Sequence, residues 1–291
     1  MQRIVILGHT GFIGGALQAH LQREGDCEVL GFSSGTADLR LEEGVQALAG
    51  RVDRETVIVF ASTITREKGD TLGTLMDNIA MAGRLGTFLE AHPPAKCVCI
   101  SSDAVYPMQD QAITEDTPVS PGGNYYAISK YTAECVLRKS MQAKDIPLLV
   151  LRPTAVFGPG DTHNSYGPNA FMRSVIRERS IRLFGQGEER RDHLFINDLL
   201  RIATRLIKTE AVGVLNVATG ISRSFAEVVE VLRRVVPFEF SVSYLHRNVP
   251  VTQREFDVSR LRQRVGVFSF SDFEEAVRAT FEQVYATTAN P

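Results

Sequence analysis

Three glycines follow directly on a short apolar run near the start of the chain. Residues 3–7 read RIVIL, and Gly8, Gly11 and Gly14 occupy the next seven positions, GHTGFIG. A helix-like apolar pattern comes next, so the segment predicts a buried strand, a tight turn and a helix. Glycine has no Cβ, which permits the dihedral angles of such a turn and lets the backbone approach a pyrophosphate at the helix N-terminus. The segment therefore predicts a dinucleotide-binding βα unit.

The first half of the chain alternates short apolar runs with longer helix-like stretches. The runs are apolar along their whole length, as in strands of a parallel sheet that helices cover on both faces. We therefore predict an α/β fold over residues 1–153, a Rossmann-type doubly wound parallel sheet. Strands are predicted at 3–7, 27–32, 56–60, 96–101 and 147–151, and helices at 12–24, 42–50, 73–91 and 124–142.

The composition changes after Pro153. Residues 157–169, FGPGDTHNSYGPN, are rich in glycine and proline and are predicted to form a loop. The remainder predicts a smaller α/β C-terminal lobe over 154–291, with parts that return to the Rossmann domain. Its helices are predicted near 169–180, 196–208, 224–235 and 271–286, and its strands near 214–217 and 239–244.

Charge and hydropathy exclude several classes of partner. A formal net charge of −2 leaves no basic field for nucleic acid or for an anionic membrane. No apolar run has the length of a membrane span or of a signal-peptide core, so we expect a cytoplasmic protein. Four cysteines are too few for a disulfide scaffold, and no His/Cys cluster indicates a metal site. Cys97 and Cys99 are expected to be buried, reduced thiols.

A tyrosine and a lysine are spaced for proton transfer. In NYYAISKYTAE, Tyr126 precedes Lys130 by four residues, so the two side chains share one face of a predicted helix. An ammonium group beside the phenol, helped by the positive charge of a nicotinamide, is expected to lower the phenol pKa toward neutrality. Tyr125 faces another direction. Ser102, at the end of the fourth predicted strand, would place a hydroxyl at the same sheet edge.

The residue after the second strand bears on the choice of cofactor. NAD-binding units of this kind carry an acidic residue there, which binds the ribose 2′-hydroxyl. Here the position is Ser33, followed by Ser34, and both hydroxyls could donate hydrogen bonds to a 2′-phosphate. The nearest basic residue downstream is Arg40. The sequence therefore favours NADP over NAD, and either remains possible.

Four motifs of the chain resemble those of a known family. GHTGFIG, SSDAVY, YYAISK and LRPTAVFGPG follow the order and spacing of the extended short-chain dehydrogenases/reductases, the nucleotide-sugar epimerase/dehydratase/reductase family, and the likeness extends over nearly the whole chain. The resemblance implies an enzyme in which Ser102, Tyr126 and Lys130 are catalytic. It implies a cofactor site formed by Gly8, Gly11, Phe12, Ile13, Gly14, Lys130 and Pro153, with Ala61 and Ser62 beside the adenosine. It also implies either a structural or a catalytic role for Asn78.

The same resemblance implies the substrate and the assembly. The C-terminal lobe of the family binds a nucleotide-diphosphate sugar, and Asn169, Arg191 and Arg247 match substrate-contacting positions. A guanidinium suits phosphate oxygens, although both arginines could also be solvated surface charges. The helices predicted at 73–91 and 124–142 resemble those that form a four-helix bundle across the dimer axis, so a homodimer is expected.

Departures from the family pattern reduce the number of reactions that we expect this chain to catalyse. Family members that dehydrate the sugar carry an Asp-Glu pair where this chain has Asp103-Ala104, so dehydration is not expected. Pro107 replaces a usual glycine. We expect hydride transfer at a sugar carbon, as a 4-keto sugar reductase using NADPH or, alternatively, a 4-epimerase that retains NAD. A non-catalytic NAD(P)-sensing regulator and a reductase of small carbonyl compounds are further alternatives. The Ser–Tyr–Lys set argues against the regulator, and the two arginines argue against the small substrate.

Overall fold

The computed structural model describes residues 2–109, 111–163 and 166–289. Its strands are β1 (Arg3–Leu7), β2 (Glu28–Phe32), β3 (Thr56–Phe60), β4 (Lys96–Ile100), β5 (Leu148–Pro153), β6 (Ala155–Phe157), β7 (Ser180–Phe184), β8 (Arg190–Phe195), β9 (Gly213–Val217), β10 (Ser222–Ser224) and β11 (Ser241–Leu245). Its helices are α1 (Phe12–Glu24), α2 (Glu42–Gln46), α3 (Leu72–Ala91), α4 (Tyr125–Gln142), α5 (Pro168–Glu178), α6 (Ile196–Ile207), α7 (Phe225–Val235), α8 (Ser259–Val265) and α9 (Phe273–Ala289).

Six parallel strands form the main sheet. Their order is β2-β1-β3-β4-β5-β9, so the winding direction reverses at β1. Ligands of such sheets bind outside the carboxyl ends of the strands at this reversal, where β1 and β3 lie side by side. The predicted α/β class is confirmed, and the five strands predicted in the first half all belong to this sheet.

The side chains of the main-sheet strands alternate between two cores. Val5 and Leu7 join a cluster that includes Leu85 of α3 and Leu137 of α4. Ile4 and Ile6 face the opposite side and join a second cluster, which contains Leu17 of α1 together with residues of α6. The uniformly apolar strand sequences therefore reflect burial on both faces. The two layers of helices hold the strand ends, and the residues that follow them, in fixed positions.

The C-terminal half contributes to both parts of the fold. β9, which covers the predicted strand 214–217, pairs in parallel with β5 and completes the main sheet. The smaller lobe holds a three-stranded sheet, β10-β8-β6, and a two-stranded sheet, β11-β7. The sequence did not predict β6, β7, β8, β10 or α8, because these elements are short or carry polar residues. Of the predicted loop 157–169, residues 164 and 165 lie outside the described part of the chain.

The cysteines are free thiols. Cys97 and Cys99 are buried in β4 on the same side of the sheet, as predicted. Burial raises the pKa of the Cys99 thiol to about 12, so it stays protonated and inert at neutral pH. Over the ranges that the structure describes, no helix is both long enough and apolar enough to cross a membrane.

Candidate active site

The turn after β1 requires glycine at two of its three glycine positions. Gly8 has a φ of +94°, and a Cβ on it would lie 2.8 Å from the backbone nitrogen of Ser62. A Cβ on Gly14 would collide with the carbonyl oxygen of Gly8. α1 begins at Phe12, and its N-cap residue Gly11 offers no side-chain cap to the first turn. The N–H groups of that turn are therefore available to a pyrophosphate, so these residues fit a dinucleotide cofactor.

The predicted adenosine side lies at the ends of β2 and β3. Ser33 is half-buried and its Oγ accepts a hydrogen bond from the Gly35 nitrogen at 3.3 Å, while Ser34 is exposed. The Ala61 backbone pairs with β1. The guanidinium of Arg40 donates to Asp38 at 2.7 Å, and the Arg40 side chain is 45% exposed. Ser33 and Ser34 are polar groups that this edge could offer to a ribose or to a 2′-phosphate.

Ser102 and Tyr126 meet in a cleft of about 810 Å³ between the main sheet and the smaller lobe. Ser102 directly follows β4 after Ser101, and its Oγ accepts a hydrogen bond from the Ala104 nitrogen at 3.1 Å. Tyr126 lies in the first turn of α4, which Asn124 caps through the Ala127 nitrogen at 2.8 Å. The side chains of Ser102 and Tyr126 both line this cleft, and the Ser102 hydroxyl is close enough to act on the pKa of the Tyr126 phenol. The fold thus brings together two residues that are 24 positions apart in the sequence.

Burial is the main influence on the Tyr126 phenol in the protein alone. It raises the phenol pKa to about 12, the Ser102 hydroxyl opposes that rise, and the charge of Asp103 adds to it. Lys130 lies with Nζ 5.7 Å from the centre of the Tyr126 ring and donates to the Ile100 carbonyl oxygen at 3.0 Å. Burial lowers the pKa of Lys130. Without a cofactor, desolvation is the largest influence on the phenol pKa, and the lowering expected from Lys130 together with a bound nicotinamide stays a prediction.

A buried polar network supports the floor of the cleft. Glu134 of α4 accepts two hydrogen bonds from Arg152 of β5, at 2.9 and 2.6 Å, and a further one from Ser101. Arg152 also donates to the Tyr106 hydroxyl at 2.7 Å, which in turn donates to Asn216 of β9 at 2.8 Å. The network joins α4 to three main-sheet segments and so fixes the position of Tyr126 relative to Ser102.

Asn78 supports the same region from the other side. Its amide accepts a hydrogen bond from the Ile64 nitrogen at 2.7 Å and donates to the Ile64 carbonyl oxygen at 3.1 Å. It also donates to the Ser129 hydroxyl at 3.3 Å. The contacts tie the segment after β3 to α4, as a structural role of Asn78 would require.

Arg191 lies at the far end of the cleft and is held by its neighbours. Its guanidinium donates to the carbonyl oxygen and to the hydroxyl of Thr252, at 2.8 and 2.7 Å. The carboxylate of Glu189 lies 3.7 Å away and accepts a hydrogen bond from Thr252. Burial lowers the pKa of Arg191, although the group stays charged. Arg191 is therefore a fixed, largely buried cation that lines the cleft and not a solvated surface charge.

Arg247 and Asn169 differ from the expected arrangement. Arg247 lies behind Glu189, with Nη1 3.0 Å from that carboxylate and Nη2 donating to the Phe184 carbonyl oxygen at 2.7 Å. It is absent from the cleft lining formed by the described residues. Asn169 does line the cleft, but its amide accepts from the Gly158 nitrogen at 3.0 Å and donates to the Gly158 carbonyl oxygen at 2.8 Å. A direct substrate contact by either residue remains a prediction.

Sequence reasoning missed several residues of the cleft. The side chains of Phe184, Glu189, His193, Phe225 and Arg254 line it alongside those predicted, which include Phe12, Ile13, Ser102, Tyr126, Pro153, Asn169 and Arg191. One signal was present in the sequence. His193 stands two residues after Arg191, which on a strand places both side chains on one face.

Comparison with known proteins places this arrangement in a family. The sequence model of the NAD dependent epimerase/dehydratase family matches residues 4–218. GDP-6-deoxy-D-talose 4-dehydrogenase from Aggregatibacter actinomycetemcomitans is 24% identical over 294 residues, which cover 97% of this chain and 97% of that protein.

Two solved structures share the fold. UDP-N-acetylglucosamine 4-epimerase from Methanobrevibacter ruminantium M1, in complex with UDP-N-acetylmuramic acid, has a TM-score of 0.86 at 21% identity and covers 98% of this chain and 99% of its own. RMD from Pseudomonas aeruginosa, complexed with NADPH, has a TM-score of 0.85 at 22% identity and covers 99% and 100%. With a family match over most of its length, this chain belongs to the NAD dependent epimerase/dehydratase family of nucleotide-sugar enzymes.

Proposed function

We propose that the protein is an NAD(P)-dependent oxidoreductase that transfers a hydride at C4 of a nucleotide-diphosphate sugar, acting as a 4-keto sugar reductase. The observation that carries this proposal is that Ser102, Tyr126 and Arg191 line one cleft, with the Ser102 hydroxyl near the Tyr126 phenol. The glycine turn enters the same cleft through Phe12 and Ile13. A proton donor, a cofactor cradle and a fixed cation thus surround a single ligand-sized space.

The proposed chemistry divides between the chain and the cofactor. A bound nicotinamide supplies the hydride to the sugar carbonyl carbon. Tyr126 donates its proton to the carbonyl oxygen, which suits a phenol that burial keeps protonated. Ser102 holds that oxygen by a hydrogen bond, and Lys130, a buried cation under the Tyr126 ring, stabilises the phenolate that remains. The reverse reaction, oxidation of a 4-hydroxyl, uses the same groups in reverse.

In this proposal, Arg191 binds the substrate. Its guanidinium is fixed by Thr252, so little side-chain entropy is lost when it meets an anion. We assign to it the diphosphate contact and to Arg247 an indirect role, because Arg247 reaches the cleft only through the carboxylate of Glu189. Glu189 keeps both arginines in place and also lowers the net positive charge that the diphosphate meets.

Similar proteins support the reaction and the cofactor. The relative from Aggregatibacter actinomycetemcomitans carries in its name a GDP sugar and a reaction at position 4. The RMD structure from Pseudomonas aeruginosa holds NADPH. In this chain Ser33 takes the place of the ribose-binding acid, and no carboxylate there would repel a 2′-phosphate. These observations favour a reductase that exchanges NADPH in every cycle.

The test separates the reductase from the epimerase. The protein is purified without added cofactor, its absorbance spectrum is recorded, and NADPH consumption is followed with 4-keto sugar nucleotides bearing UDP, GDP, CDP or dTDP. We expect an empty cofactor site after purification and NADPH oxidation with at least one of these substrates. Stoichiometric NAD that survives purification, together with isomerisation of sugar nucleotides in the absence of NADPH, would overturn the reductase and establish the 4-epimerase.

A further inference from the structure

His193 is a buried histidine whose ring nitrogens have no hydrogen-bond partner among the described residues. It lies in β8, only 2% of its surface is exposed, and it lines the cleft. Its neighbour Asp192 points to the opposite side, where it accepts hydrogen bonds from Thr154 and Thr219. His193 therefore shares the cleft-facing side of the strand with Arg191, whose guanidinium is a fixed cation of the cleft lining.

The surroundings of His193 keep its ring neutral and in one orientation. Phe225 and Phe273 flank it, with ring centres 5.9 and 6.1 Å from that of the imidazole. Burial and the positive charges of Arg223 and Arg191 lower its pKa to about 3. A neutral imidazole has one N–H donor and one nitrogen acceptor. Both are unused in the protein alone, which is costly for a buried polar group unless a ligand pairs with them.

We infer that His193 is a specificity-determining residue that hydrogen-bonds a hydroxyl group of the substrate beside the phosphate held by Arg191. This inference rests on the proposed function for the identity of the substrate. A hydroxyl can pair with either ring nitrogen, by donating to the bare nitrogen or by accepting from the N–H, whereas a phosphate oxygen can pair with the N–H alone. A nucleotide-diphosphate sugar carries hydroxyls on both sides of its phosphates, on the ribose and on the sugar.

Binding measurements on matched variants test the inference. His193→Phe removes both polar atoms and keeps a flat ring, while His193→Gln keeps one donor and one acceptor. His92→Phe, at a histidine that packs on Phe88 outside the cleft, is the control. Each protein is titrated by calorimetry with UDP and GDP, with their 2′-deoxy and 3′-deoxy forms, and with UDP-glucose and GDP-mannose. The melting temperature of each free protein is recorded.

We expect the variants at His193 to differ in ligand affinity, without a loss of stability in the free protein. His193→Phe should weaken binding roughly fivefold to twentyfold, the effect of one or two neutral hydrogen bonds, while its free form melts no lower than the wild type. His193→Gln should recover most of the affinity, and His92→Phe should bind normally. A loss already present with UDP or GDP, and absent with a deoxy form, assigns the ribose. A loss confined to the sugar nucleotides assigns the sugar.

Two outcomes overturn the proposals separately. If His193→Phe binds every probe as tightly as the wild type, the role of His193 is wrong and the proposed function stands. If no nucleotide or sugar nucleotide binds the wild type, the proposed function itself is wrong, and the inference fails with it. Should His193→Phe not fold, His193→Leu, a smaller apolar replacement, is measured in its place against the same two criteria.

Discussion

The guanidinium of Arg254 holds Asp103 by two contacts, donating to its backbone carbonyl oxygen at 2.7 Å and to its carboxylate at 2.6 Å. It also donates to the carbonyl oxygen of Tyr106 at 2.8 Å. These contacts fix the turn that follows Ser102 to a segment of the smaller lobe. The carboxylate that occupies the first position of the family's dehydratase pair is therefore ion-paired, which supports the expectation that this chain does not dehydrate its substrate.

Replacing Arg254 by methionine should lower the stability of the folded protein. Arg254 is 5% exposed, and the change leaves the Asp103 carboxylate without its partner. We expect the free energy of unfolding to fall by roughly 2–4 kcal/mol, as for a buried ion pair that loses one member. Urea unfolding checks this value. The double variant with Asp103→Asn should recover part of the loss, and an unchanged unfolding midpoint in Arg254→Met would contradict the assignment.

Tyr126→Phe should lower turnover by roughly 10²–10⁴-fold, because it removes the proton donor and keeps the ring. Cofactor binding, measured by fluorescence titration, should persist. The matched control is Tyr125→Phe, since Tyr125 is exposed on the neighbouring position of α4. With the phenol pKa raised to about 12, the reduction rate should not fall through this group as pH rises across the neutral range. Near-normal turnover in Tyr126→Phe would rule the residue out as the donor.

Ser33→Asp should shift the cofactor preference toward NADH. A carboxylate there would repel a 2′-phosphate and could bind a ribose 2′-hydroxyl instead. NADPH binding should weaken about tenfold or more, since a like-charge contact costs more than about 1.4 kcal/mol. Fluorescence titrations with both cofactors measure the change, with exposed Ser243→Asp on β11 as the control. A wild-type protein that clearly prefers NADH would show that our interpretation of Ser33 is wrong.

The folded protein should lose stability in acid through His193. Its pKa is about 3 in the folded chain against 6.5 for an ordinary histidine, so below pH 6.5 the unfolded chain binds a proton that the folded chain does not. The free energy of unfolding therefore falls as pH drops from 6.5 toward 3, by up to about 1.4 kcal/mol per unit from this group. His193→Phe should show a shallower fall in urea unfolding at stepped pH, and parallel curves would contradict this prediction.

A homodimer is predicted through α3 and α4. These two helices pack against each other, and Leu72 and Met76 of α3 are 59% and 56% exposed. Such apolar exposure suits a surface that a second copy covers. Light scattering at micromolar concentration should give the dimer mass, and Met76→Glu should lower it. Val267→Glu, at a residue 98% exposed elsewhere, should not. A monomeric wild type would exclude the dimer.

The sequence predicted elements well where burial left a uniform pattern. RIVIL and TVIVF are covered on both faces and became β1 and β3. In contrast, β8 reads RRDHLF, and it escaped prediction because its buried positions include Asp192 and His193, whose polar side chains serve the fold and the cleft. Tertiary contacts decide such strands, and a local pattern does not reveal them.

Some features of the candidate site could likewise be predicted from the sequence, and others could not. Tyr126 and Lys130 could be paired from their spacing on one helix, and Ser102 from its place at a strand end. Arg254 could not be paired with Asp103, which lies 151 positions earlier in the chain. The effect of burial on the phenol pKa was also out of reach, because it depends on how much water the fold removes from Tyr126.

The pairing of β9 with β5 determines how this chain can be cut or synthesised. A fragment that ends at residue 153 would contain every strand of the main sheet except the last and would present β5, mostly apolar apart from Arg152, as an open edge. Such an edge recruits other chains, so the fragment should aggregate rather than serve as a portable nucleotide-binding module. On the ribosome, the sixth strand can join the sheet only after Val217 has emerged, and by then β6, β7 and β8 of the smaller lobe have been synthesised as well.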